Sequence, residues 1–127
     1  MTQRLLLVDD EEPILFAMSA YFTSWAYGID CASELEEAQA LVAHVSYACV
    51  ISDLRLSGTQ GAEGLELVSF VRRMCVDTRV LVLTAYGSDS LERTARARGA
   101  DAVLQKPIRL RELDAIVKSL LGERSSC

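Results

Sequence analysis

Two hydrophobic rhythms alternate along the chain. Short apolar runs recur at 4–8, 28–32, 47–51, 79–83 and 102–104. Runs this short, bounded by polar residues, predict strands buried in a sheet. The second is the weakest, with Asp30 at its centre. Between the runs, apolar residues return at helical spacing. Ile14, Ala17, Met18, Tyr21, Phe22 and Trp25 outline a first helix that ends at Gly28. Pro13 falls in its first turn, where a missing N–H costs little. Ser33 and Glu36 predict a capping box for a second helix through Leu35, Ala38, Leu41, Val42 and Val45. Residues 54–62 read as a glycine-rich loop, and Leu65, Val68, Val71, Arg72 and Cys75 outline a third helix. Ser88 or Asp89 caps a fourth helix that ends at Gly99. Leu110, Leu113, Ile116, Val117, Leu120 and Leu121 make an amphipathic fifth.

Strict strand–helix alternation implies a parallel sheet covered on both faces. Right-handed crossovers make a doubly wound α/β fold the leading architecture. The 127 residues suit one domain, expected over 1–122, with 123–127 as a short polar tail. Half the residues are hydrophobic and 24% are charged, a globular balance that excludes a disordered chain. No run of eighteen apolar residues occurs, which excludes a membrane span. Met1 leads almost directly into the first strand without a secretory leader, so a cytoplasmic protein is expected. A net charge of −5 argues against direct nucleic-acid binding. Cys31, Cys49, Cys75 and Cys127 are irregularly spaced and His44 is the sole histidine, so a zinc site is not expected. Cys49 and Cys75 read as small buried hydrophobes.

Charge is unevenly spread. Residues 1–54 hold nine acids and one base, and four of the acids are consecutive: Asp9, Asp10, Glu11 and Glu12. In open parallel α/β sheets, ligands bind beyond the carboxyl ends of the strands. The first strand is followed by Asp9 and Asp10, the third by Asp53, the fourth by Thr84 and the fifth by Lys106 and Pro107. Each has an ordinary structural reading: Asp10 as a helix cap, Asp53 as a turn residue, Thr84 as a strand end, Lys106 as a solvated cation. Those readings do not explain why neighbouring strand ends are equipped together. Converging carboxylates repel unless a cation joins them. Mg²⁺ suits an all-oxygen site with one or two carboxylates. A carboxylate can also act as a nucleophile toward phosphorus, with metal and fixed donors neutralising the phosphoryl oxygens.

Val8-Asp9-Asp10-Glu11, Ser52-Asp53-Leu54-Arg55-Leu56, Leu83-Thr84-Ala85 and Lys106-Pro107 together resemble the response-regulator receiver domain of two-component signalling. The resemblance covers the chain from about Arg4 to Leu121. It implies a CheY-like, flavodoxin-like (βα)5 fold with a five-stranded parallel sheet in the order 2-1-3-4-5. It implies a phosphorylation-dependent switch, not a metabolic enzyme, that catalyses only its own phosphorylation and dephosphorylation. Asp53 matches the phosphoacceptor. Asp10, Asp53 and the backbone carbonyl of Arg55 match direct Mg²⁺ ligands, and Asp9 matches the acid that holds Mg²⁺ through water. Lys106 matches the cation on the phosphoryl oxygen, and Thr84 the hydroxyl that moves toward it. Pro107 matches a position usually preceded by a cis bond. The implied partners are a sensor histidine kinase or histidine phosphotransfer protein, and a downstream protein or fused output domain. A phosphorylation-dependent homodimer through the fourth helix, fifth strand and fifth helix is a further implied partner. The mixed charges there equally suit a solvated face.

The sequence departs from the family pattern in three places. Val103 stands where a Tyr or Phe usually lies, three residues before the lysine, with Tyr86 as a candidate substitute or an exposed loop residue. The loop 57–63 carries about three extra residues, and Gly58, Gly61 and Gly64 make it adaptable. Arg55 and Tyr86 lie two residues beyond Asp53 and Thr84, where a long cation and an aromatic predict slow self-dephosphorylation. The alternative function is a degenerate receiver acting as a phosphorylation-independent interaction module. An aspartyl-nucleophile phosphatase fits less well, because Arg55 stands where a second acid is usual. A flavin-binding protein fits least, because acids follow the first strand instead of a hydroxyl-rich phosphate loop.

Overall fold

The computed structural model describes residues 3–25, 27–55, 62–85 and 87–125. Strands β1 (Arg4–Val8), β2 (Gly28–Ala32), β3 (Cys49–Asp53), β4 (Arg79–Thr84) and β5 (Ala102–Gln105) alternate with helices α1 (Glu12–Thr23), α2 (Leu35–His44), α3 (Ala62–Met74), α4 (Asp89–Arg98) and α5 (Leu110–Ser125). All strand pairs are parallel, in the order β2-β1-β3-β4-β5. This is the doubly wound order that the resemblance implied.

Period-two alternation along the strands builds two cores. Leu6, Val8, Val50, Val80 and Val82 face Ala38, Leu67, Val68, Val71 and Ala95, so α2, α3 and α4 cover one side of the sheet. Leu5, Leu7, Ile51 and Leu81 face Leu15, Met18, Phe22, Leu113 and Val117, so α1 and α5 cover the other. Most of these side chains are wholly buried, each worth roughly 1.5–3 kcal/mol of hydrophobic stabilisation. The contribution of α4 is the thinnest: it buries only Ala95, and Leu91 is partly covered.

Several boundaries differ from the sequence expectation. Helix α1 stops at Thr23, not Gly28, because the Gly28 N–H donates to the Gln3 carbonyl (2.9 Å) and opens β2 opposite Arg4. Strand β3 begins and ends two residues later than expected. Cys49 pairs with Leu5 and Asp53 with Leu83, so Asp53 closes the strand instead of lying beyond it. The Ser33–Glu36 box does not form. Glu34 is the N-cap residue of α2, without a side-chain cap, and the Ser33 N–H donates to Glu37 Oε1 (2.9 Å). Asp10 is not a helix cap either, since that position belongs to Glu11. At α4 the alternatives resolve to Ser88, whose side chain accepts from the Leu91 N–H, and Gly99 ends the helix at φ 120°. Helix α5 continues through Ser125, into the segment read as a tail. Cys49 is buried, whereas Cys75 is only half-buried just past α3 and Cys31 is exposed. Cys127 and Tyr86 lie outside the described residues, as do 56–61 of the long loop.

Candidate functional site

The parallel sheet brings the carboxyl ends of β1, β3, β4 and β5 to one edge, and the residues there converge. Asp9 is fully buried, and both its oxygens are used. Oδ1 accepts from the Glu11 N–H (2.9 Å), and Oδ2 accepts from Lys106 Nζ (3.0 Å). Asp53 is 8% exposed and lies 3.5 Å from the same Lys106 nitrogen. Asp10 is exposed beside them, and one oxygen from each of Asp9, Asp10 and Asp53 falls within 4.8 Å of the others. Asp10, Glu11, Asp53, Arg55, Ala85 and Lys106 line a single opening to solvent.

The backbone explains the convergence. The Lys106 N–H donates to the Thr84 carbonyl (2.8 Å), which ties the end of β5 to the end of β4. The Lys106–Pro107 peptide is cis. The Leu54 N–H donates to the Leu83 carbonyl (2.8 Å), holding the residue after Asp53 against β4. Thr84 is buried, and it lines a second cavity of about 210 Å³ with Ser88, Leu91 and Val103, beneath the start of α4. No aromatic lines that cavity among the described residues.

Electrostatics follow from burial and proximity. Burial pushes the Asp53 carboxyl above the ordinary carboxylate range, and the charges of Asp9 and Asp10 add to this. Lys106 and the Arg55 backbone hydrogen bond pull the other way. Burial alone would lower the Lys106 ammonium, but its bond to Asp9 and the charges of Asp53, Asp9 and Glu11 outweigh that and raise it. The site therefore holds its lysine as a cation and its carboxylates crowded.

The oxygen-only donor set, the close carboxylates and the opening to water fit a hard divalent cation. The structure brings Asp9, Asp10, Asp53 and Lys106 together and sets Thr84 beside them. Two features escaped the sequence reading. One is the Asp9–Lys106 bond, which nothing local signals. The other is Gly64, read as part of an adaptable loop but found buried in the first turn of α3, with its N–H on the Leu54 carbonyl (3.0 Å).

The response regulator receiver domain family matches residues 5–118. The chain belongs to this family. Receiver domains are phosphorylation-dependent signalling switches that bind Mg²⁺ at an acidic site, and they are not metabolic enzymes. The transcriptional regulatory protein PmrA of Pectobacterium parmentieri is 34% identical over 118 residues, which cover 93% of this chain and 52% of PmrA. The transcriptional regulatory protein SrrA of Staphylococcus aureus is 32% identical over 126 residues, covering 99% of this chain and 51% of SrrA. The receiver thus spans about half the length of the curated relatives it matches.

Among solved structures, a response regulator from Burkholderia pseudomallei with a phosphorylated aspartic acid, calcium ion and citrate superposes with a TM-score of 0.84 at 26% identity, over 98% of this chain and 71% of that one. The beryllofluoride-activated NtrC4 receiver domain dimer superposes at 0.85 and 27% identity, over 95% and 98% of the two chains. A CheY-like receiver from Methanospirillum hungatei reaches 0.92 at 24% identity, covering 99% and 98%, a likeness of fold. No helix among the described residues is long and apolar enough to cross a membrane.

Proposed function

We propose that Asp53 is the phosphoacceptor of this receiver, taking its phosphoryl group from a histidine kinase or histidine phosphotransfer protein. The observation that carries this reading is the position of Asp53, at the end of β3, near-buried yet lining the opening, with Lys106 3.5 Å away. Asp10, Asp53 and the Arg55 backbone carbonyl would hold Mg²⁺ directly, and Asp9 would reach it through water. When bound, the ion neutralises charge on the phosphoryl oxygens. An Asp53 oxygen attacks phosphorus as the P–N bond to the donor histidine breaks, and that electron pair leaves with the imidazole. Lys106 stays anchored by Asp9 and presents its ammonium to a phosphoryl oxygen. The phosphorylated relative from Burkholderia pseudomallei supports the same chemistry here.

Thr84 turns toward the phosphoryl group and relays its presence to α4 across the cavity that Val103 leaves roomy. The α4–β5–α5 face then changes its affinity for a partner, an output domain or a second copy of this chain. The dimeric NtrC4 receiver and the double-length transcriptional relatives support an output of this kind. The protein works in the cytoplasm, where its kinase partners present phosphohistidine.

The test is Mg²⁺-dependent labelling with acetyl phosphate, followed by intact mass, with Asp53→Asn as control. The expected outcome is one phosphoryl group on the wild type and none on the variant. A folded wild type that takes no phosphoryl group and does not respond to beryllofluoride points instead to a phosphorylation-independent interaction module, a reading that Val103 and the longer loop keep open.

A further inference from the structure

The residue after the phosphoacceptor is held from two sides. Its N–H is fixed by the Leu83 carbonyl (2.8 Å), and its carbonyl is fixed by the N–H of Gly64 (3.0 Å). Leu54 itself is 2% exposed. Gly64 sits so close that a Cβ placed on it would lie 2.6 Å from Leu54 Cα and 2.7 Å from its carbonyl carbon. Those are backbone atoms in the sheet layer, not the end of a side chain that swings away. Arg55 follows directly, and the chain then leaves for the long loop and returns at Ala62.

We propose that Gly64 is a positioning residue for the metal and phosphoryl site: its bare backbone staples the first turn of α3 to Leu54 and thereby sets where the Arg55 carbonyl points. The proposal rests on the reading of that carbonyl as a Mg²⁺ ligand. The staple joins the first turn of α3 to the residue that precedes Arg55. A side chain at 64 must separate Leu54 from α3, and the shortest route moves the Leu54–Arg55 peptide. The remainder of α3 keeps its grip on the core through Leu67, Val68 and Val71.

The reciprocal consequence is that Mg²⁺ binding must tighten the staple, because coupling between two sites acts equally in both directions.

The experiment compares wild type, Gly64→Ala and Val117→Ala. Val117 is a buried residue of α5 that packs into the core between the sheet and α1, so its loss weakens the fold without touching Arg55. Mg²⁺ affinity is measured by calorimetry at a temperature where all three are folded. The expected result is at least a tenfold weaker Kd for Gly64→Ala and an unchanged Kd for Val117→Ala. Acetyl phosphate labelling of Gly64→Ala is slow at low Mg²⁺ and recovers at saturation. A Gly64→Ala Kd within twofold of wild type overturns the proposal and leaves Asp53 chemistry intact. A wild type that binds no Mg²⁺ removes the metal-site reading and this inference with it.

The wild type also tests the idea without any substitution. Amide exchange at Gly64 is expected to slow on Mg²⁺ saturation, while the Cys75 N–H, bonded to the Val71 carbonyl at the far end of α3, is unaffected. Equal exchange at Gly64 with and without Mg²⁺ overturns the staple even where Gly64→Ala does not fold.

Discussion

Asp9 and Lys106 stand 97 residues apart in sequence, and their side chains meet at 3.0 Å. The acid is fully buried and the lysine mostly so. A carboxylate left in that position without its cation keeps its desolvation cost and loses its compensation. Lys106→Ala is therefore expected to destabilise the metal-free protein by roughly 1–3 kcal/mol. The same change removes a positive charge that competes for the carboxylates, so Mg²⁺ binds more tightly. Urea unfolding and calorimetric titration check the two signs. Weaker Mg²⁺ binding in the folded variant would mean that Lys106 holds the acids in place more than it competes for them.

Without a metal ion, the position of Asp53 is a cost that Lys106 only partly offsets. Burial raises its pKa above the ordinary 3.8, so the folded protein binds that proton more tightly than the unfolded chain. The stabilising effect of that proton is present below the unfolded value and is lost as pH rises through the folded one. At neutral pH the ionised side chain is then a net cost. Asp53→Asn is expected to raise the melting temperature of the metal-free protein, by about 4 °C for each 1 kcal/mol relieved. Added Mg²⁺ should stabilise the wild type more than the variant. A variant melting lower than wild type at pH 7 without metal contradicts the assignment of burial as the dominant effect.

The end of α4 farthest from the site is clamped by Arg72. Its guanidinium reaches the carbonyls of Val76, Thr78 and Gly99 at 2.6–2.8 Å and Asp101 Oδ2 at 3.1 Å. Gly99 has φ 120°, and a Cβ there would meet Arg72 Nε at 2.8 Å. Gly99→Ala is expected to cost about 1–2 kcal/mol from the backbone conformation alone, with a further loss from the displaced guanidinium. Thermal melts check this, and an effect below 0.5 kcal/mol would show that the clamp is dispensable.

The proposed relay through Thr84 separates uptake from output. Thr84→Ala is expected to retain Asp53 labelling while losing the phosphorylation-induced change in amide exchange along α4. A full α4 response in the variant would show that Val103 and its cavity relay the signal without the hydroxyl.

Arg55 carries an exposed side chain at the mouth of the site. With Tyr86, it predicts slow self-dephosphorylation. A double variant, Arg55→Ala with Tyr86→Ala, should lose its phosphoryl group faster than wild type in a time course of intact mass. A slower loss from the variant reverses the screening role.

Much of this was legible in the chain itself. Runs such as Leu5-Leu6-Leu7-Val8 and Val80-Leu81-Val82-Leu83 announce strands buried on both faces, because only a covered parallel sheet needs no polar alternation. Asp9, Asp10, Asp53, Thr84 and Lys106 announce the site, because strand ends in such a sheet share one edge. Strand-to-helix order and residue type are local properties, and sequence alone determined them, together with family membership. Boundaries were less legible: the start of β2 at Gly28 was readable, but the helical spacing carried α1 on to it, and only the structure shows that α1 stops at Thr23. The tertiary structure decided which partners meet. That Lys106 is anchored by Asp9, that Arg72 grips Gly99, and that Gly64 is a contact surface instead of a flexible joint all depend on strand order and backbone separation. Spacing along the chain encodes which face a residue shows, but not which distant residue faces it, because that is set only when the sheet closes its register.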